Sequence, residues 1–244
     1  MIKLNKTYAF SDLHGNYILW KNIQNFLDDS DIAFCLGDCC DRGLNGISIM
    51  QEILEDPRII YLQGNHERMF LNGVAAYNDL ESAYFGLQDY ALWIGNGGAS
   101  TAEIYFNLDR EKQEQLYKQI HELKTSSLYI NKNNQNIFLC HAGCQPSDAT
   151  IEPSINIKYL YLWDRNHINL NWENKEEYKN TFIIHGHTPV QYIKKDKDYN
   201  NILKYCDNHK ISIDLGSYIT NKIALLDLDS LEAIYFYEKG QVIK

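Results

Sequence analysis

Long apolar runs are the first thing this chain lacks. None approaches the roughly 18 residues of a bilayer-crossing helix, so no helical membrane span is expected. The opening residues Met1–Lys6 carry no apolar core of leader length, and a cytoplasmic protein is the expectation. Basic charge is also scarce. Lysine and arginine number 23 against 32 aspartates and glutamates, and the net charge of −9 argues against a nucleic-acid or anionic-membrane surface. An acidic shell can still enclose a positive site where metal ions supply the charge. Six cysteines in 244 residues are too few for a disulfide framework. Cys35 and Cys140 lie inside apolar runs, and reduced thiols are expected. Linkers, internal repeats and low-complexity tracts are missing too. A single domain over residues 1–244 is therefore expected, long enough to bury a sizeable core.

What is present is a series of short apolar runs, each stopping at a polar loop. Thr7–Phe10 reads as a strand and breaks at Ser11-Asp12-Leu13-His14-Gly15-Asn16. Ile18, Leu19, Ile23, Phe26 and Leu27 then recur at helical spacing. Ile32–Leu36 is a second strand running into Gly37-Asp38-Cys39-Cys40-Asp41-Arg42-Gly43. A helix marked by Ile47, Met50, Ile53 and Leu54 ends before Pro57, and the strand Ile59–Leu62 breaks at Gly64-Asn65-His66-Glu67. Right-handed crossovers set these three loops along one edge of a parallel sheet, where such sheets build ligand sites.

Residues 68–125 read as a helical insert, with Leu116, Ile120 and Leu123 as one stripe and a break at Ile94–Gly98. Ser127–Ile130 and Ile137–Cys140 flank a turn-rich segment and read as a hairpin whose second strand runs into His141-Ala142-Gly143. Thr181–Ile184 ends at His185-Gly186-His187-Thr188-Pro189. Lys210–Ile213, Lys222–Leu226 and Glu232–Tyr237 read as closely spaced strands, expected antiparallel.

Five strand ends thus collect Asp12 and His14; Asp38, Asp41 and Arg42; Asn65, His66 and Glu67; His141; and His185 and His187. Mixed carboxylate, imidazole and amide donors suit Mn²⁺, Fe or Zn²⁺ better than the thiol-rich pattern of structural zinc. Asp12 and His14 stand two apart in an extended segment, so both can face one ion. The two oxygens of Asp38 are enough to bridge two ions. Any one of these loops is a weak signal, and five in order are a strong one.

In these motifs the chain resembles the calcineurin-like metallophosphoesterases, and within them the phosphoprotein phosphatase branch with its bacterial and phage members. The resemblance rests on Asp12-Leu13-His14, Gly37–Gly43, Gly64–Glu67, His141-Ala142-Gly143 and Gly186-His187-Thr188-Pro189. Asn96-Gly97-Gly98 and Trp163-Asp164-Arg165 extend it, over roughly residues 8–216. It implies an α/β, four-layer α-β-β-α sandwich of two mixed sheets with the helical insert. It also implies two divalent ions (Mn, with Fe, Zn, Ni or Co as other candidates), one held by Asp12, His14 and Asp38. The second would be held by Asp38, Asn65, His141 and His187, with Asp38 bridging. A hydroxide shared by the two ions would attack phosphorus in line. The resemblance makes His66 the general acid, oriented by Asp41, places Arg42 and Arg165 on the phosphate oxygens, and sets Glu67 behind the ligands.

The implied activity is that of a protein serine/threonine phosphatase, dual specificity included, acting on a phosphoprotein or a small phosphoester. Symmetrical dinucleoside-tetraphosphate hydrolases share the fold and metals, and a non-catalytic scaffold is a third reading. Relatives of the tetraphosphate kind typically carry a non-acidic residue at the Asp41 position and Asp at the Glu67 position, and this chain has Asp41 and Glu67. Ser11 and Leu44 are mild departures from the pattern. His185 stands open between a substrate or supporting contact and ordinary packing. Asp214 matches a common family position, and a turn cap explains it equally well. Asp164 is expected to be local, and His121, His167 and His209 are expected at the surface. A Cys39–Cys40 disulfide is disfavoured.

Overall fold

The computed structural model describes residues 5–78, 86–131, 134–170, 176–238 and 240–242. The start of the leader reading (1–4), part of the predicted insert (79–85) and residues 132–133 and 171–175 lie outside the described residues. Along the chain run β1 (Thr7–Phe10), α1 (Tyr17–Phe26), β2 (Ile32–Cys35), α2 (Gly46–Glu55), β3 (Ile59–Tyr61) and α3 (Asn65–Asn78). Next come α4 (Gly86–Trp93), a π-wound turn at Ile94–Gly98, α5 (Ala99–Phe106), α6 (Arg110–His121), β4 (Ser126–Ile130) and β5 (Asn136–Cys140). After them stand α7 (Ile155–Trp163), β6 (Thr181–His185), α8 (Val190–Lys194), β7 (Leu203–Tyr205) and β8 (Lys210–Ser212). The chain closes with α9 (Ser217–Thr220), β9 (Lys222–Asp227), β10 (Glu232–Tyr237) and β11 (Gly240–Val242).

Two mixed sheets result. One has six strands in the order β11-β10-β9-β1-β2-β3 and the other five, β4-β5-β6-β8-β7. Strands β1, β2 and β3 pair in parallel, as the β-α-β-α-β reading requires. The alternation of side chains along each strand builds the layers. Ala9, Phe34, Leu36 and Leu226 of the first sheet meet Ile137, Leu139, Ile184 and Ile211 of the second in one dry core. Their chain neighbours point the other way. Tyr8, Phe10, Ala33 and Cys35 pack with Leu19, Trp20 and Ile23 of α1 and Met50 and Ile53 of α2. Phe138, Cys140 and Ile183 pack on Tyr161 of α7. Both faces of both sheets are therefore covered, which gives the α-β-β-α sandwich.

Three expectations are corrected. In α1 the buried residues are Leu19, Trp20 and Ile23, whereas Ile18 is half exposed, because the stripe includes the tryptophan. Strand β8 does not form a meander with β9 and β10. It pairs in parallel with β6, while β9 lies antiparallel beside β1 in the other sheet. The short helix α9 carries the chain between the sheets, a crossover that strand periodicity does not encode. Leu123 lies past the end of α6, whose buried residues are Leu116 and Ile120. Among the described residues no helix is long and apolar enough to cross a membrane.

Candidate metal centre and active site

The loops at the strand ends are held in conformations that side chains ordinarily avoid. Asp12, His14, Asp38, Asp41, Arg42 and His187 all have positive φ, between 45° and 68°. Non-glycine residues rarely enter this left-handed region, and when they do they cluster at functional sites where surrounding contacts enforce them. Here the enforcement is visible. The first two loops are zipped by Asp12 N–H to Gly37 O (3.0 Å), His14 N–H to Asp38 O (2.9 Å) and Gly15 N–H to Cys39 O (2.9 Å). Gly186 allows the last loop to close on the first, because a Cβ there would collide with Asp12 Oδ2 and Ser11 Oγ.

Helix α3 begins at the third motif, and its N-terminal N–H groups organise two carboxylates. Asp38 Oδ1 accepts from His66 N–H at 2.9 Å. Glu67, three residues into the motif, reaches back to accept from Gly64 N–H at 2.8 Å, half of a capping box. The same carboxylate accepts from Asp38 N–H, Cys39 N–H and Tyr61 Oη, each at 2.8 Å. Glu67 thus ties the loop bearing Asp38 to the start of α3. Burial pushes its carboxyl above the ordinary range, with the Asp38 charge adding to this.

Imidazoles converge on Asp38. Its Oδ2 lies 3.3 Å from His141 Nε2, 3.7 Å from His14 Nε2 and 3.8 Å from His66 Nε2. His141 Nε2, His187 Nδ1 and Asn65 Oδ1 form a triangle with edges of 2.8, 2.8 and 3.2 Å. Two rings are fixed from behind, His141 Nδ1 on Leu36 O at 2.8 Å and His14 Nδ1 on Cys40 O at 3.1 Å. Such outer contacts orient metal-ligating histidines. Asp12 Oδ1 stands 3.9 Å from His14 Nε2. That oxygen, like His187 Nε2, is buried without a hydrogen-bond partner.

These donors form two groups able to hold a metal ion, His14 with Asp38 and His66, and Asp38 with His141 and His187. Asp38 belongs to both. Protonation follows the same demand for positive charge. Burial would lower His141, yet the charge of Asp38 outweighs it and pushes the imidazole up to about 10. Burial would likewise raise Asp38, but His141 and His66 hold it well below the usual range. Burial, with neighbouring cationic groups adding to it, drives His14 and His187 down, and burial together with the Asp38 charge pushes Asp12 up to about 6. An orphaned oxygen and nitrogen, imidazoles gathered on one carboxylate, and that carboxylate's place in both groups are the donor set of a site for divalent cations.

Beside this cluster, His66 Nδ1 meets Asp41 Oδ2 at 2.7 Å. Asp41 is wholly buried, accepts from Trp93 Nε1 at 3.1 and 3.2 Å, and donates its own N–H to Thr101 Oγ1 at 2.9 Å. Burial works against charge on His66, but Asp38 and the bond to Asp41 raise it above its ordinary value. The exposed Arg42 places Nη2 3.2 Å from His66 Nε2.

The family model for calcineurin-like phosphoesterases matches residues 6–216. The chain belongs to that family. It is accordingly a phosphoester hydrolase of a class built on dinuclear metal sites. Serine/threonine-protein phosphatase 2 of Salmonella typhimurium is 32% identical over 66% of this chain and 68% of its own length. The asymmetrical bis(5′-nucleosyl)-tetraphosphatase PrpE of Oceanobacillus iheyensis is 24% identical over 77% of this chain and 70% of its own. The solved cold-active protein-tyrosine phosphatase of a psychrophilic Shewanella covers 98% of this chain and 80% of its own at a TM-score of 0.58. At 17% identity that last likeness is one of fold.

Other predicted positions of the phosphoesterase fall as follows. Arg165 comes to the cluster's side, its Nε 3.3 Å from Thr188 Oγ1. His185 faces away, with Nε2 2.7 Å from Tyr205 Oη and Nδ1 3.0 Å from Gly186 O. His167 is a correction. It is buried under the His141 loop, its ring edge-on to His185 at 5.0 Å, because glycine at 143 leaves room for it. His121 is exposed and His209 half-buried. Asp164 caps Asn166 and His167 N–H locally, and Asp214 caps Gly216 N–H at 2.7 Å. All six thiols are free, and Cys39 lies beside Cys35, at 3.2 Å between sulfurs. Sequence reasoning missed Tyr61, Trp93, Thr101, Ser217 and Tyr218. Each reaches the site from an element whose local pattern reads as core or loop.

Proposed function

We propose that the chain is a metal-dependent phosphomonoesterase acting on phosphoserine and phosphothreonine in proteins, with two divalent ions, Mn²⁺ foremost, sharing Asp38. The observation that carries this reading is the membership of Asp38 in both donor groups. In it, Asp12, His14 and Asp38 would hold one ion, and Asp38, Asn65, His141 and His187 would hold the other. When bound, the pair supplies Lewis acidity and a nucleophile at neutral pH. The chain's own residues do the rest. Arg42 and Arg165 bind the phosphate oxygens through forked guanidinium groups. His66 delivers a proton to the leaving alkoxide oxygen as the P–O bond breaks, while Asp41 holds the other ring nitrogen. The 2.7 Å His66–Asp41 contact and the raised basicity of His66 support that assignment.

A second reading is favoured by one observation: the tetraphosphatase of O. iheyensis aligns with more of this chain than the Salmonella phosphatase does. In it the substrate is a dinucleoside tetraphosphate and the same residues cleave a phosphoanhydride. One assay separates the two. Metal-stripped protein reloaded with Mn²⁺ is given p-nitrophenyl phosphate, a phosphoserine peptide and diadenosine tetraphosphate. Release of inorganic phosphate from the first two at higher kcat/KM is the expected result. Preferential splitting of the tetraphosphate would replace the phosphatase reading, with ATP plus AMP marking the asymmetrical cut and ADP the symmetrical one.

A further inference from the structure

Arg42 is exposed, and among the described residues no carboxylate lies within ion-pair distance of it. Its guanidinium is nevertheless placed. It sits over the Tyr218 ring, 4.5 Å from the centroid, with Nη2 toward His66. The Tyr218 ring also stands edge-on to His14 at 5.7 Å, so one phenol touches both a candidate ligand and the candidate phosphate-binding arginine. Tyr218 is itself firmly mounted. Gly216 (φ 67°) turns the chain into α9, and the next residue, Ser217, donates its hydroxyl to the carbonyl of Asp12. Arg42 is anchored at its other end by its N–H on Gly97 O at 2.8 Å. Together these walls line an open cleft of about 330 Å³ that includes His14, Gly43, Leu44 and Asn221.

A long cationic side chain left free would lose rotamer entropy on every binding event. An aromatic face attracts the guanidinium without neutralising it and takes up none of its N–H donors. We propose that Tyr218 is a positioning residue that holds the Arg42 guanidinium, through its ring face, in the pose that binds the phosphate group. The inference rests on the reading of Arg42 as a phosphate-binding residue.

The test compares Tyr218→Leu, Tyr218→Phe, Arg42→Ala and the Leu/Ala double variant of the metal-loaded protein. The probe is inorganic phosphate, by calorimetric Kd and as a competitive inhibitor of p-nitrophenyl phosphate hydrolysis. Tyr218→Leu should weaken phosphate and raise KM about three- to tenfold with kcat changed less. Tyr218→Phe should match the parent, since the ring and not the hydroxyl acts. In the Arg42→Ala background Tyr218→Leu should add nothing. Melting temperatures close to the parent's would show that the variants remain folded, and Tyr218 is 44% exposed. Unchanged phosphate affinity in Tyr218→Leu, or an equal additional loss in the Arg42→Ala background, would overturn the positioning role. Unchanged affinity in Arg42→Ala would instead overturn the reading of Arg42 on which it depends.

Discussion

His66 carries the proton-transfer half of the chemistry proposed here, from a ring whose Nε2 also lies 3.8 Å from Asp38 Oδ2 in one of the two donor groups. One ring nitrogen is committed to Asp41, which Trp93 and Thr101 hold in turn. His66→Asn should keep the metal content while lowering kcat for a poor alkyl leaving group by about 10²–10⁴. For p-nitrophenyl phosphate, whose leaving group needs little protonation, the loss should be far smaller. Equal losses on both substrates would remove the acid role. Glu67 acts at one remove, accepting four hydrogen bonds from the loop and strand around Asp38. Glu67→Gln turns one acceptor oxygen into a donor facing those N–H groups, and should cost about 1–3 kcal/mol of stability in denaturant titration. The motif residues were legible because each stands at a strand end in fixed order. Trp93 and Tyr218 were not, because nothing local marks a tryptophan that binds an aspartate 52 positions away.

The helices α3 and α4 show how an element can reach the site without touching substrate. Glycine at 73 lets Trp93 lie flat on α3, and a Cβ there would collide with the indole. The ring also packs edge-on to Phe70 at 5.6 Å, so it has nowhere to retreat. Gly73→Ala should cost about 1–3 kcal/mol by overpacking. It should also displace Nε1 from Asp41, so activity should fall with metal content intact. A stability loss with kcat preserved would show that Trp93 is only packing. The same insert was legible as helical from the Leu116–Ile120 spacing and the glycine-rich break, which became the turn at Ile94–Gly98. Strand β8 was misplaced because it reaches β6 by a crossover through α8 and β7, and the chain then leaves for the other sheet through α9. His167 was misplaced because its burial comes from Gly143 and His185, far away in sequence.

At the scale of the whole molecule, two covered sheets place their strand ends so that loops from five strands meet around one carboxylate. That cluster is buried, and Asp12 Oδ1 and His187 Nε2 within it have no hydrogen-bond partner. Metal binding should thus stabilise the fold as well as serve the chemistry. With free Mn²⁺ at a hundredfold excess over Kd the expected gain is about 2.7 kcal/mol. At this chain length that corresponds to a rise in Tm of roughly 5–10 °C, reversed by a chelator. An unchanged Tm would mean that the donor groups hold no ion tightly. The central claim, that one carboxylate serves two metal positions, has a direct test in metal stoichiometry. Parent and Asp38→Asn proteins would be loaded with Mn²⁺, dialysed and measured by inductively coupled plasma mass spectrometry beside circular dichroism. The account predicts two ions per chain in the parent and loss from both positions in a folded Asp38→Asn. Two ions retained by Asp38→Asn would contradict it.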